Sequence, residues 1–154
     1  MPTSLGRFAA MSDRRVSVSR IIGAKPERIF DLLADPAAHA LIDGSGTVRG
    51  TKTPSGTRLA LGSRFGMSMK LGVPYAISNE VVEFDEGRLI AWRHFGGHRW
   101  RWLLEPVEGG TRVTETFDWS YAKSPVALEV MRIPARNRRS IEATLERLEQ
   151  HLTG

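Results

Sequence analysis

Apolar residues recur at two spacings along this chain, and the switches between the spacings mark out its elements. Val16 and Val18 alternate with Ser17 and Ser19, which predicts a first strand over residues 14–22. Gly23 to Glu27 ends it. Pro26 suits a first helical position, and Glu27 suits the positive end of a helix dipole. Behind them Ile29, Phe30 and Leu33 share one helical face. Asp35-Pro36 repeats the start signal, so a second short helix is expected up to Ile42, broken by Asp43-Gly44-Ser45-Gly46.

The period then drops to two. Strands are expected over Thr47–Thr53, Ser63–Leu71, Tyr75–Phe84, Arg88–Phe95, His98–Glu105 and Thr111–Tyr121. Pro54-Ser55-Gly56, Asp85-Glu86-Gly87, Gly96-Gly97 and Glu108-Gly109-Gly110 supply turns, and Gly72-Val73-Pro74 interrupts. Successive hairpins of this kind predict an antiparallel meander. The helical period returns at Ser124-Pro125, with Leu128, Val130 and Met131 as its apolar positions. Pro134 is expected to end or kink that helix, because it lacks an N–H and crowds the preceding turn. Ile141, Leu145, Leu148 and Leu152 then form one continuous helical stripe.

An alternating sheet has one apolar face and the last helix has one apolar stripe. Burying each against the other gives an α+β layer arrangement. A curved antiparallel sheet of about six or seven strands wraps around the long C-terminal helix, with two short helices after the first strand. Such a grip leaves a gap that side chains only partly fill. Residues 13–154 make one domain, and residues 1–12, small and polar, are expected to be a disordered extension.

Four segments carry a family likeness: AKPERIFDLLADPAAH (24–39), RLIAWRH (88–94), LLEPVEGGTRVTETFDW (103–119) and RRSIEATLERLEQHL (138–152). With them the chain resembles the START-like, or SRPBCC, helix-grip superfamily. That superfamily includes the birch-pollen allergen and the polyketide cyclase/dehydrase and lipid-transfer proteins. The likeness covers nearly the whole chain from residue 14. It implies a deep apolar cavity between sheet and long helix that takes a lipid, a polyketide or another aromatic molecule. Its motifs identify the fold and leave the ligand open.

Charge alters this picture little. The formal net charge is +5 and the sequence pI about 10.2, but the arginines are dispersed. The tryptophans alternate along strands, as core residues do. Nucleic acid is therefore not the expected partner. Cysteine is absent, no signal-peptide core precedes the domain, and no apolar run reaches the length of a membrane span. The cytoplasm is the expected location. No cofactor is expected, and a homodimer is left open.

Strand parity selects the candidate residues. Placing Trp100 and Trp102 inward puts Arg99 and Arg101 in solvent. On the next strand Val113, Glu115, Phe117 and Trp119 share the inner face. Trp92 shares parity with Ile90 and His94, and Phe65, Met67 and Met69 form a further row. The expected ligand-binding set is completed by Ile141 and Leu145 of the helix stripe. Catalytic candidates are Glu115, which is costly to bury unpaired, with His94 and Asp43. His94 and His98 flank Gly96-Gly97, so they are expected to be a solvated rim. With His39 and His151 they show no metal-ligand spacing, and no metal is expected. The function expected is binding of a small hydrophobic molecule. The alternatives are a polyketide cyclase/aromatase-type enzyme in the same cavity, and a protein- or RNA-interaction module using the C-terminal arginines.

Overall fold

A computed structural model describes residues 13–46, 48–51, 57–71 and 73–154. The expected extension 1–12, the outer ends of the Thr47–Thr53 strand, the turn Pro54-Ser55-Gly56 and the break at Gly72 lie outside the described residues. In chain order the elements are β1 (Arg15–Ile22), α1 (Pro26–Leu33), a 3-10 turn (Pro36–Ala38) leading into α2 (His39–Ile42), β2 (Val48–Thr51), β3 (Arg64–Leu71), β4 (Val73–Asp85), β5 (Leu89–His94), β6 (Arg99–Val107), β7 (Gly110–Asp118), α3 (Pro125–Val130) and α4 (Ile133–Thr153). The seven strands form one sheet in the order β1-β7-β6-β5-β4-β3-β2. All neighbours are antiparallel, and the first strand returns to pair with the last.

Three local expectations are corrected. Val73 and Pro74 belong to β4, where Pro74 lies opposite Lys70. Pairing of β4 with β5 begins only at Asn79, so Pro74 sits on a local sheet edge, where its missing N–H is tolerated. The last strand stops at Asp118 instead of running to Tyr121. Asp118 accepts hydrogen bonds from Ser120 N (2.9 Å) and Ser120 Oγ (2.6 Å), and this Asx turn leads the chain out of the sheet. Pro134 opens α4 rather than ending a helix. The break falls earlier, at Arg132, whose φ of 59° is left-handed. A first-turn proline forfeits no helical hydrogen bond.

The two sheet faces are held differently. On the outer face polar pairs cross the strands: Ser17 with Thr116 and Ser19 with Thr114, each at 2.7 Å. Arg15 pairs with Asp118 at 3.0 Å and Arg93 with Glu80 at 2.9 Å. Arg101 reaches Glu83 at 3.3 Å over Ala91, the residue between them in register. Such cross-strand pairs on the solvent-facing side of the sheet each contribute little. On the inner face Ile22, Leu104, Val113 and Phe117 are fully buried with Leu145 and Leu148 of α4 and Ile29, Phe30 and Leu33 of α1. That burial is the main stabilising term.

The loop after α2 is seated on α4. Gly44 N donates to Thr144 Oγ1 at 2.8 Å. A Cβ on Gly44 would lie 2.5 Å from Thr144 N and 2.6 Å from Ala143. Only glycine permits this approach, and it carries the neighbouring Asp43 to the inner face. Gly44→Ala is expected to lower unfolding stability by about 1–3 kcal/mol in urea titration. An unchanged midpoint would mean that the loop is not packed on α4.

Candidate functional site

The stripe of α4 is continuous only from Ile141 onward, with Ile133 and Pro134 of the first turn standing apart from it. Leu145, Leu148 and Leu152 close the core, and α4 packs on β1 and β7. The first turns of α4 carry Arg136, Asn137 and Ser140 instead, and beneath them the sheet and helix part. A cavity of about 460 Å³ opens there. That is within the roughly 300–1,000 Å³ common for small-molecule sites.

Its sheet wall is aromatic. Trp92 on β5 lies opposite Trp100 on β6, and both line the cavity with Trp102, Phe65 and Met67. His39 of α2 stacks on Trp92, with ring centroids 5.0 Å apart, and Phe65 meets both rings edge-on. Nε2–H of His39 donates to the Leu33 carbonyl at 2.9 Å, which fixes the ring. Ile141 lines the helix side. Met69 pairs with Val48 and Tyr75 through its backbone, and its side chain is outside the described residues.

Three expected wall residues do not line the cavity. Phe117 is fully buried beneath Trp100 (4.9 Å) and His98 (5.3 Å), whose rings do line it. Trp119 packs on Phe117, beyond the strand end, and its Nε1–H donates to Glu129 at 2.8 Å. Leu145 lies one turn past Ile141, where helix and sheet have already closed. Inner-face parity is necessary for lining the cavity, but the helix must also stand clear.

The expected solvated rim is also corrected. His94 and His98 both line the cavity and stack on each other at 4.2 Å. Gly97, with φ of 99°, brings the hairpin tip against the backbone of Tyr121, and Lys123 N donates to Gly96 O at 3.0 Å. His94 Nδ1 accepts from Gly96 N at 2.9 Å. The tip is thus folded in. Burial pushes the pKa of both rings down; His98, with His94 against it, falls to about 4.

Glu115 is buried in the cavity wall, and its Oε1 has no hydrogen-bond partner. Burial first, and the nearby Asp43 carboxylate second, push its pKa well above the ordinary 4.5. Asp43 also lines the cavity. It accepts from Ser45 Oγ at 2.8 Å and from Val48 N at 3.2 Å, so it is the anchor of its own loop. The three catalytic candidates Glu115, Asp43 and His94 therefore reach one space. His39 and Asn79 were not among the expected site residues. Asn79 shares parity with Ile77 and Val81, and His39 stands three positions before the buried Ile42, so both signals were in the sequence. Among the described residues no group of three or more His, Asp and Glu side chains could hold a metal ion. Among them, too, no helix is long and apolar enough to cross a membrane.

The family model described as polyketide cyclase / dehydrase and lipid transport matches residues 13–153. A Mycobacterium tuberculosis protein, the uncharacterised Rv0088, is 42% identical over 146 residues, 91% of this chain. The chain spans 65% of that relative's length. Among solved structures, protein CV1439 of Chromobacterium violaceum superposes with a TM-score of 0.70 at 17% identity, covering 92% of this chain and 98% of that one. A protein from Arthrobacter aurescens gives 0.72 at 16% identity, covering 90% and 88%. At these identities the structures show a shared fold. With the curved sheet, the gripped helix and a family match over nearly its whole length, the chain belongs to the polyketide cyclase/dehydrase and lipid transport family of the START-like superfamily.

Proposed function

We propose that this protein binds one small, largely apolar molecule in the cavity between its sheet and α4. The observation that carries this is the cavity's construction: about 460 Å³ with an aromatic and aliphatic wall of Trp92, Trp100, Trp102, Phe65 and Ile141, into which polar groups such as Glu115 and Asn79 are set. Burying apolar surface at roughly 25 cal/mol per Å² supplies the affinity, and the polar groups set orientation. The family description, which includes lipid transport, supports the ligand class.

A second reading is an enzyme of the cyclase type. It is favoured by one observation, that Glu115, Asp43 and His94 share the cavity. An acid that keeps its proton can protonate a leaving oxygen, and an apolar cavity can fold a reactive chain. Turnover of a poly-β-ketone substrate that survives Glu115→Gln unchanged would remove Glu115 from such chemistry.

Binding also gives a reason for a buried, unpaired carboxyl, because sites of this kind are held at a cost in stability. The direction follows from the raised pKa. Above pH 4.5 the unfolded chain releases the Glu115 proton while the folded chain retains it, so folding is penalised from there upward. His39, His94 and His98 give the opposite trend, losing stability as pH falls, but that trend is common to wild type and a Glu115 variant.

Two outcomes are expected. Titrating tetralin should change tryptophan emission, because three of the four tryptophans line the cavity, and Ser140→Trp should weaken that binding by about tenfold through filling it. Emission unmoved by any apolar probe would contradict the reading. Glu115→Leu should be more stable than wild type at pH 7 in thermal melts, with the gap narrowing as pH falls towards 4.5. A gap that widens on acidification would contradict it.

A further inference from the structure

Four buried side-chain polar atoms among the described residues have no hydrogen-bond partner: Asn79 Oδ1, Arg99 Nε, Trp102 Nε1 and Glu115 Oε1. Arg99 lies outside the cavity, its guanidinium 4.0 Å from the centre of the Tyr121 ring. The other three belong to cavity-lining residues that are more than nine-tenths buried. Folded proteins seldom leave such groups unpaired, so each exception calls for an explanation.

Two of the three are direct neighbours. Trp102 on β6 is the register partner of Glu115 on β7, and both side chains point to the inner face. Directly opposed residues of an antiparallel pair hold their Cβ atoms about 4.5–5.5 Å apart. The indole N–H can only donate. We propose that Trp102 and Glu115 together form a two-donor seat for one uncharged oxygen of the ligand, a carbonyl or a hydroxyl, at the sheet wall of the cavity. This rests on the reading that the cavity takes a small apolar molecule, and it specifies which polar group that molecule carries.

The chemistry of the surroundings supports a neutral oxygen over a charged group. Burial and Asp43 favour the protonated Glu115 carboxyl, whose O–H is then the second donor. An anionic head would face Asp43 in a site of low dielectric. Among the described residues the cation lining the cavity is Arg136, which is exposed on the first turns of α4, and the charge that acts on the Glu115 carboxyl is that of Asp43. An ammonium would meet the indole N–H dipole head-on. A carbonyl oxygen accepts two hydrogen bonds and brings no charge. Asn79, two rows along the sheet beside His94, is separated from this seat by Trp92 and Trp100 and is not part of it.

Calorimetric titration with four matched probes tests the seat: tetralin, α-tetralone, and the α-amino and α-carboxylate derivatives of tetralin. Wild type should bind α-tetralone about tenfold tighter than tetralin, and tighter than either charged derivative. Trp102→Phe and Glu115→Leu should each bring the ketone-to-hydrocarbon ratio to within about threefold of one, a ratio in which any change in apolar packing common to both probes cancels. Glu115→Gln retains an N–H donor and should keep the preference, which separates donor loss from damage to the fold. Equal affinities for ketone and hydrocarbon in wild type overturn the seat, as does a ratio that survives both Trp102→Phe and Glu115→Leu, or tighter binding of a charged derivative. In each of those cases the cavity still binds apolar molecules. Failure of all four probes to bind overturns the cavity reading itself, and the seat with it.

Discussion

One long helix has to cover a curved sheet, and only part of its surface is apolar enough to do so. From Ile141 to Leu152 the stripe on α4 is continuous, and there helix and sheet close into a dry core. Before Ile141 the helix offers Ile133, Arg136, Asn137 and Ser140, which line the space above Trp92 and Trp100 without closing it. The cavity is the consequence. Its position is set by where the stripe begins, and its shape by how the sheet curls away from β7 towards β3. Arg132 breaks the chain between α3 and α4, and Leu128 of α3 and Met131 after it line the cavity beside the first turns of α4.

The inner face carries more polarity than packing requires. Glu115 and Trp102 leave unpaired atoms in the wall, and His39, His94 and His98 are held with lowered proton affinity. The unpaired atoms of Glu115 and Trp102 lower the stability that apolar residues would give at the same places. The outer face shows the contrary economy, with hydroxyls and charges paired across strands. The difference between the two faces supports the proposal that the cavity is a site.

Much of this was legible in the sequence. The period of two in Phe65 to Leu71 and in Arg99 to Glu105, against the helical period from Ile141, fixes the α+β class and the sidedness of Trp100 and Trp102. Parity states which face a side chain takes, but says nothing of what lies across from it. Phe117, Trp119 and Leu145 have the right parity or phase, yet they sit where the layers meet. The histidines failed for another reason. A Gly-Gly tip reads as a solvated turn, and only the approach of Gly97 to Tyr121, a long-range contact, folds it inward. Pro134 was ambiguous in kind, since the same residue ends one helix or begins the next, and the left-handed turn at Arg132 decided the matter.

The central claim is that the space between Trp92, Trp100 and the first turns of α4 is a site for a guest molecule. The most direct measurement is a crystal structure of the protein grown with tetralin. The account predicts the ring system lying against Trp92 and Trp100 beneath Ser140 and Ile141, with those side chains where they stand without it. A structure in which Phe65, Met67 and the tryptophans have collapsed into the space, with tetralin found only on the surface, would contradict it.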